Sequence, residues 1–89
     1  MYLHLGQETV VIQDDIVGIF DLDNTTVSKA TRDYLTLAEK EKRVTNVSFE
    51  LPKTFILTNN KKEGSRIYIS QISSSTLLKR AENIYEINK

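Results

Sequence analysis

Apolar and polar residues change rhythm along this chain often enough to divide it into eight short elements. Tyr2 to Leu5 reads as a strand, Gly6-Gln7 as a turn, and the β-branched run Thr9 to Ile12 as a second strand. Gln13-Asp14-Asp15 interrupts. Ile16 to Phe20 is apolar on both alternations, the pattern of a strand covered on two faces. Asp23-Asn24-Thr25-Thr26 then supplies cap and turn chemistry. Behind it Val27, Ala30, Thr31, Tyr34, Leu35 and Ala38 keep the i, i+3, i+4, i+7 spacing of a helix. Its last turn, Glu39 to Arg43, ends in Lys40, Lys42 and Arg43, where the negative end of the helix dipole favours cations.

The second half repeats the order. Val44 to Phe49 alternates as a strand, and Leu51-Pro52 breaks it because proline cannot donate to a ladder. Lys53 to Thr58 and Arg66 to Ser70 read as a hairpin around the polar loop 59–64, with Gly64 free to take positive φ. Ser73-Ser74-Ser75-Thr76 introduces the last helix, with Ser74 or Ser75 as its N-cap. Leu77, Leu78, Ala81, Ile84 and Tyr85 form its apolar stripe, which needs a sheet or a neighbouring subunit to cover. The predicted fold is α+β: one small β-rich domain over residues 1–89, in the order βββαβββα.

Composition narrows the function without naming it. A domain of 89 residues buries only about 60–65% of its unfolded surface, so self-association would supply what a modest core lacks. Twelve basic and twelve acidic side chains cancel, so no overall positive charge announces a phosphate-rich partner. With no cysteine, disulfides and thiolate metal sites are excluded. No apolar run approaches the roughly 18 residues that span a bilayer. Met1-Tyr2-Leu3-His4 lacks the basic and apolar regions of a secretory signal. The expectation is a cytoplasmic, membrane-free protein with no cofactor and no metal.

Two chemical motifs are weighed against structural roles. Ile19-Phe20-Asp21-Leu22-Asp23-Asn24-Thr25 resembles the nucleophile motif of haloacid-dehalogenase-type phosphatases, in which Asp21 would attack phosphorus and Asp23 would serve as acid/base. Phe55-Ile56-Leu57-Thr58-Asn59 resembles that family's second motif. That fold requires a wound parallel sheet, generally far longer than this chain, and no acidic pair follows Lys79 to complete a metal site. The favoured reading is that Asp21 to Thr25 ends a buried strand and caps a helix. His4 stands alone and is expected outward on an edge strand, and Asp14-Asp15 is expected in a turn. The four tyrosines are expected mainly in packing. Cations gather at Lys29 and Arg32, at Lys61, Lys62 and Arg66, and at Lys79-Arg80, where both side chains are expected to stay solvated. Three or four phosphate contacts give a neutral monomer only weak, salt-sensitive DNA binding; repetition around an assembly would strengthen it through avidity.

Two separated blocks carry a more specific likeness. Tyr2-Leu3-His4-Leu5-Gly6, Val10-Val11 and Asp15 to Asp21, together with Ile69 to Ala81, resemble the start and end of RemB-type extracellular matrix regulatory proteins of Gram-positive bacteria. The resemblance implies a cytoplasmic relative of RemA-type activators of biofilm-matrix genes. Those relatives bind DNA as ring-shaped homo-oligomers, and their subunits resemble the LytTR DNA-binding domain. It implies no enzymatic activity. Where those relatives carry an arginine before the third strand, this chain has Asp15. Where they carry an arginine pair ahead of the fifth, it has Glu50-Leu51, with Lys53 the only nearby cation. The candidate DNA-binding residues are therefore Lys53, Lys61, Lys62 and Arg66. Expected partners are copies of the chain, and double-stranded DNA or a paralogous regulator. The alternatives are an assembly module that binds protein without DNA and, remotely, a minimal phosphatase.

Overall fold

The computed structural model describes residues 1–22, 28–48 and 50–87, the last six of these as backbone. In chain order it contains β1 (Tyr2–Gly6), β2 (Thr9–Ile12), a 3₁₀ turn (Gln13–Asp15), β3 (Ile16–Asp21), α1 (Lys29–Lys40), β4 (Val44–Asn46), β5 (Thr54–Asn60), β6 (Gly64–Ser70) and α2 (Ser74–Ile87). This is the βββαβββα, α+β arrangement expected from the sequence. β1 and β2 form a separate antiparallel pair, turned by Gly6 and Gln7 at φ +119° and +49°. The other strands make one sheet in the order β3-β5-β6-β4, antiparallel except for the parallel contact of β4 with β6.

Alternation along β5 and β6 loads both faces of this sheet. Phe55 and Leu57 pair with Ile69 and Ile67 on one face, beneath Tyr34, Leu35 and Ala38 of α1. Ile56 pairs with Tyr68 on the other, beneath Leu3, Leu5 and Val11 of the β1–β2 pair and Leu77 of α2. The result is three layers, with Ile56, Ile67, Ala38, Leu5 and Leu77 at 0% exposure. Polar bonds tie the second face down. The buried Ser70 hydroxyl donates to the Leu5 carbonyl (2.7 Å) and accepts the Ile72 amide (3.0 Å). The Thr54 hydroxyl donates to the Ile72 carbonyl at 2.7 Å. Ser70→Ala strands one buried acceptor and one amide, so it should cost about 2 kcal/mol and lower the melting temperature by about 10 °C in a calorimetric scan.

Several sequence-level boundaries shift. α1 begins at Lys29 behind Ser28, whose Oγ accepts the Thr31 amide at 3.1 Å. The cap expected among Asp23–Thr26, and Val27 of its stripe, lie outside the described residues. α1 closes at Lys40, and Lys42 sits past its end at φ +60°, so the last turn is shorter than expected. Ser73, rather than the expected Ser74 or Ser75, accepts the Thr76 amide at 3.3 Å, and α2 starts at Ser74. Leu77 is buried as the stripe predicts, whereas Leu78 is half exposed. Arg80 is not simply solvated: it donates to the His4 carbonyl at 3.0 Å and pins α2 to β1. The strand expected over Val44 to Phe49 ends at Asn46, and Phe49 lies outside the described residues.

β3 is the instructive departure. It is an edge strand with a register shift between Ile16 and Gly18, and Val17 is 63% exposed. Its two-sided apolarity is covered on both sides only in part by its own chain. Phe20 folds back over Gly18 and stacks on Phe55 with centroids 4.8 Å apart. A Cβ at Gly18 would meet the Phe20 ring at 2.5 Å, so Gly18→Ala must swing that ring off Phe55. The lost stacking should cost about 1 kcal/mol, read as a lower urea midpoint.

Candidate nucleic-acid interface

The polar turn between β5 and β6 is rigidly built. Asn60 accepts the Glu63 amide on Oδ1 at 2.6 Å, and Gly64 takes φ +71° with open space around it. The same Asn60 donates through Nδ2 to the Asp15 carboxylate at 3.3 Å, anchoring the turn to the 3₁₀ segment before β3. This geometry holds Lys61 and Lys62 exposed at one end of the sheet. Asp15 is thus in a turn, as expected, and is also half buried.

The four candidate cations do not share one surface. Arg66 is set back on β6 opposite Thr58, and its Nε donates to Thr45 Oγ1 at 3.3 Å. Lys53 lies beyond the other end of β5, where its amide bonds the Ser70 carbonyl and its carbonyl accepts the Leu22 amide. Seven residues of strand, about 24 Å, separate it from Lys61. One subunit therefore offers a lysine pair with a partly engaged arginine nearby, and a solitary lysine at the opposite end. A further cation, Arg43, lies 5.7 Å from the Tyr34 ring centroid and bonds Glu41 at 2.7 Å. Tyr34 first and Glu41 second raise its pKa above the usual arginine value, and the guanidinium stays charged.

Between β2 and this turn runs an open cleft of about 470 Å³, lined by Val10, Ile12, Asp15, Asn60, Lys61 and Lys62 among others. Its β2 wall is apolar and solvent-facing: Val10 and Ile12 are 53% and 45% exposed. Tyr2, paired with Ile12 on the same outer face, is exposed as well, against the packing role expected for tyrosines. Sequence reasoning missed this face. The available signal was the β-branched run Thr9 to Ile12, which has more apolar positions than one buried face needs. His4 does face outward, and its Nε2 contacts the Gln7 carbonyl at 2.7 Å.

The phosphatase-like motif loses its setting. β3 runs antiparallel to β5, so the two look-alike segments are not parallel strands of a wound sheet. Asp21 is exposed on the sheet edge, and Thr58 is buried with its hydroxyl on the Arg66 carbonyl. Asp23 lies outside the described residues. Among the described residues no cluster of three or more His, Asp or Glu forms a metal-binding group, and no helix is long and apolar enough to cross a membrane.

A three-layer α+β domain with an antiparallel pair packed on a four-stranded sheet, and cations on exposed turns, defines the class. The chain belongs to the RemA-like family, described as extracellular matrix regulatory protein A-like, whose family model matches residues 2–81. It is 41% identical over 88 residues to extracellular matrix regulatory protein B of Bacillus subtilis (strain 168), covering 99% of both chains.

Proposed function

We propose that this protein is a non-enzymatic, homo-oligomeric regulator of extracellular matrix genes that works in the cytoplasm on double-stranded DNA or through a DNA-binding paralogue. The likeness to extracellular matrix regulatory protein B over nearly the whole length of both chains carries the regulatory part. Self-association is supported by the exposed apolar side chains of Tyr2, Val10, Ile12 and Val17, which a small single domain has no internal means to bury. Lys61, Lys62 and Arg66, with Lys53 from the far end of another copy, are the groups that would meet phosphate. A chain with zero net charge reads backbone and shape only when several copies act together. Light scattering should give a mass of several subunits, and gel shifts on matrix-operon promoter duplexes should show binding that weakens between low and moderate salt. Absence of any shift at micromolar protein, alone or with a paralogue, removes the DNA part.

One observation favours a second reading. Asp15 and Glu50 put carboxylates where the family resemblance implies arginines, and carboxylates repel phosphate. On that reading the protein is an assembly module for a protein partner. A pull-down that recovers protein after nuclease treatment, with no gel shift, would establish it.

A further inference from the structure

Lys42 stands in a backbone conformation that its own side chain makes costly. Among the described residues only Gln7 and Lys42 take positive φ without being glycine, at +49° and +60°. Gln7 closes the β1–β2 turn, where its carbonyl contacts His4 Nε2 at 2.7 Å. Lys42 ends α1. The Arg43 amide bonds the Ala38 carbonyl at 2.9 Å and the Lys42 amide bonds the Glu39 carbonyl at 3.0 Å, the paired bonds of a Schellman cap with Lys42 at its left-handed position. Glycine is the usual residue there, because a Cβ crowds the following carbonyl oxygen. Lys40, in the last turn, already supplies the cation that the helix dipole favours. Backbone strain of this kind collects at functional positions, and the Lys42 side chain is exposed.

The fold carries Lys42 to the Lys61-Lys62 end of the sheet. β4 runs parallel to β6 with Val44 beside Ile67, and the Arg43 carbonyl accepts the Ile67 amide at 2.9 Å. The chain therefore enters β4 only three residues, about 10 Å, from Gly64, where β6 leaves the lysine turn. Arg66 lies between the two and reaches across to Thr45. Two carboxylates at this end are already engaged, Glu41 by Arg43 at 2.7 Å and Asp15 by Asn60 at 3.3 Å. Among the described residues here, Lys40, Lys42, Lys61, Lys62 and Arg66 then outnumber the remaining carboxylates, Glu39 and Glu63, so one end of a neutral chain is locally cationic. A duplex carries one negative charge per about 1.7 Å of its axis, so a band of this width spans several phosphates.

We infer that Lys42, with Lys40 beside it, extends the phosphate-binding surface of the Lys61-Lys62 turn onto the end of α1, and that its left-handed backbone is a cost in stability kept for that contact. This rests on the duplex binding proposed above and adds to it residues whose sequence pattern points only to the helix dipole. The surface lies within one subunit and uses no contact between copies. A lysine that served only to end the helix would give way to glycine with no effect on duplex binding.

Lys42→Gly tests stability and binding together, because the two effects have opposite signs. Glycine takes positive φ without strain, and the relief exceeds the extra freedom it gives the unfolded chain, so the variant should melt about 3 °C higher in a calorimetric scan. At unchanged mass by light scattering, it should bind a matrix-promoter duplex about fivefold more weakly, or worse, at about 50 mM salt, and with a shallower salt dependence. Lys42→Arg keeps the cation and should bind as the wild type does. Lys29→Gln removes the same charge from the other end of α1, about 17 Å away along the helix, and should leave binding unchanged. A Lys42→Gly chain that binds as tightly as the wild type, or that melts no higher, would overturn the assignment to Lys42. An equal loss of binding from Lys29→Gln would overturn it too, and in each case duplex binding itself would stand. A wild-type protein that binds no duplex at any salt, alone or with a paralogue, would overturn both.

Discussion

Ile56→Ala should cost about 3–4 kcal/mol of stability, while Ile56→Val costs about 1. Ile56 is wholly buried at the centre of the four-stranded sheet, between Ile19 of β3 and Tyr68 of β6, where the β1–β2 pair and α2 close over it. Removing its branched carbons leaves a void that three layers would have to collapse together to fill, and the Ser70 and Thr54 bonds resist that movement. For 89 residues the total stability is of order 4–13 kcal/mol, so the alanine variant loses a large part of it. Urea titration at one fixed protein concentration reads the effect, because assembly adds its own concentration-dependent stabilisation. An unchanged denaturant slope with a much lower midpoint is the expected result. A loss below 1 kcal/mol for Ile56→Ala would mean that this face is not the core.

Elements defined by local chemistry were readable from the chain. β2 follows its β-branched run, the β5–β6 hairpin its polar loop and Gly64, and α2 its serine cluster and Leu77. The misplaced boundaries are those where several residues could do one job. Any of three consecutive serines can cap a helix, and only backbone geometry selects Ser73. The parallel pairing of β4 with β6 leaves no local trace, since it depends on α1 carrying the chain across the sheet. The reading of β3 shows the deepest limit. A periodic pattern reports how many faces are apolar and says nothing about which molecule covers them, so Val17 read as interior and is exposed in the single chain. The site was legible in the same partial way. Lys61, Lys62 and Arg66 are neighbours in sequence and stay near one another, whereas Lys53 is carried to the far end by the length of β5. Glu50-Leu51 stood out only as a missing arginine pair, and the exposure of Leu51 is a property of the folded chain.

A change on the exposed β2 face separates two opposed effects on duplex binding. Val10→Ser/Ile12→Lys removes two of the exposed apolar side chains offered for self-association, keeps Lys53, Lys61, Lys62 and Arg66 and adds one cation, raising the net charge from zero to +1. By charge alone it should bind DNA more tightly. The gain is small, because an exposed charge acts over a screening length of about 8–10 Å and contributes no more than about 1 kcal/mol, roughly fivefold. If several linked copies supply the phosphate contacts, dissolving the assembly removes an avidity of about 10²–10⁴. The second effect exceeds the first by at least an order of magnitude, so the sign of the change is decisive. Gel shifts on promoter duplex at about 50 mM salt should show binding weakened a hundredfold or more, and a shallower dependence on salt because fewer counterions are released per binding event. Affinity that rises, with the slope preserved, would assign duplex recognition to the single subunit and its few lysines.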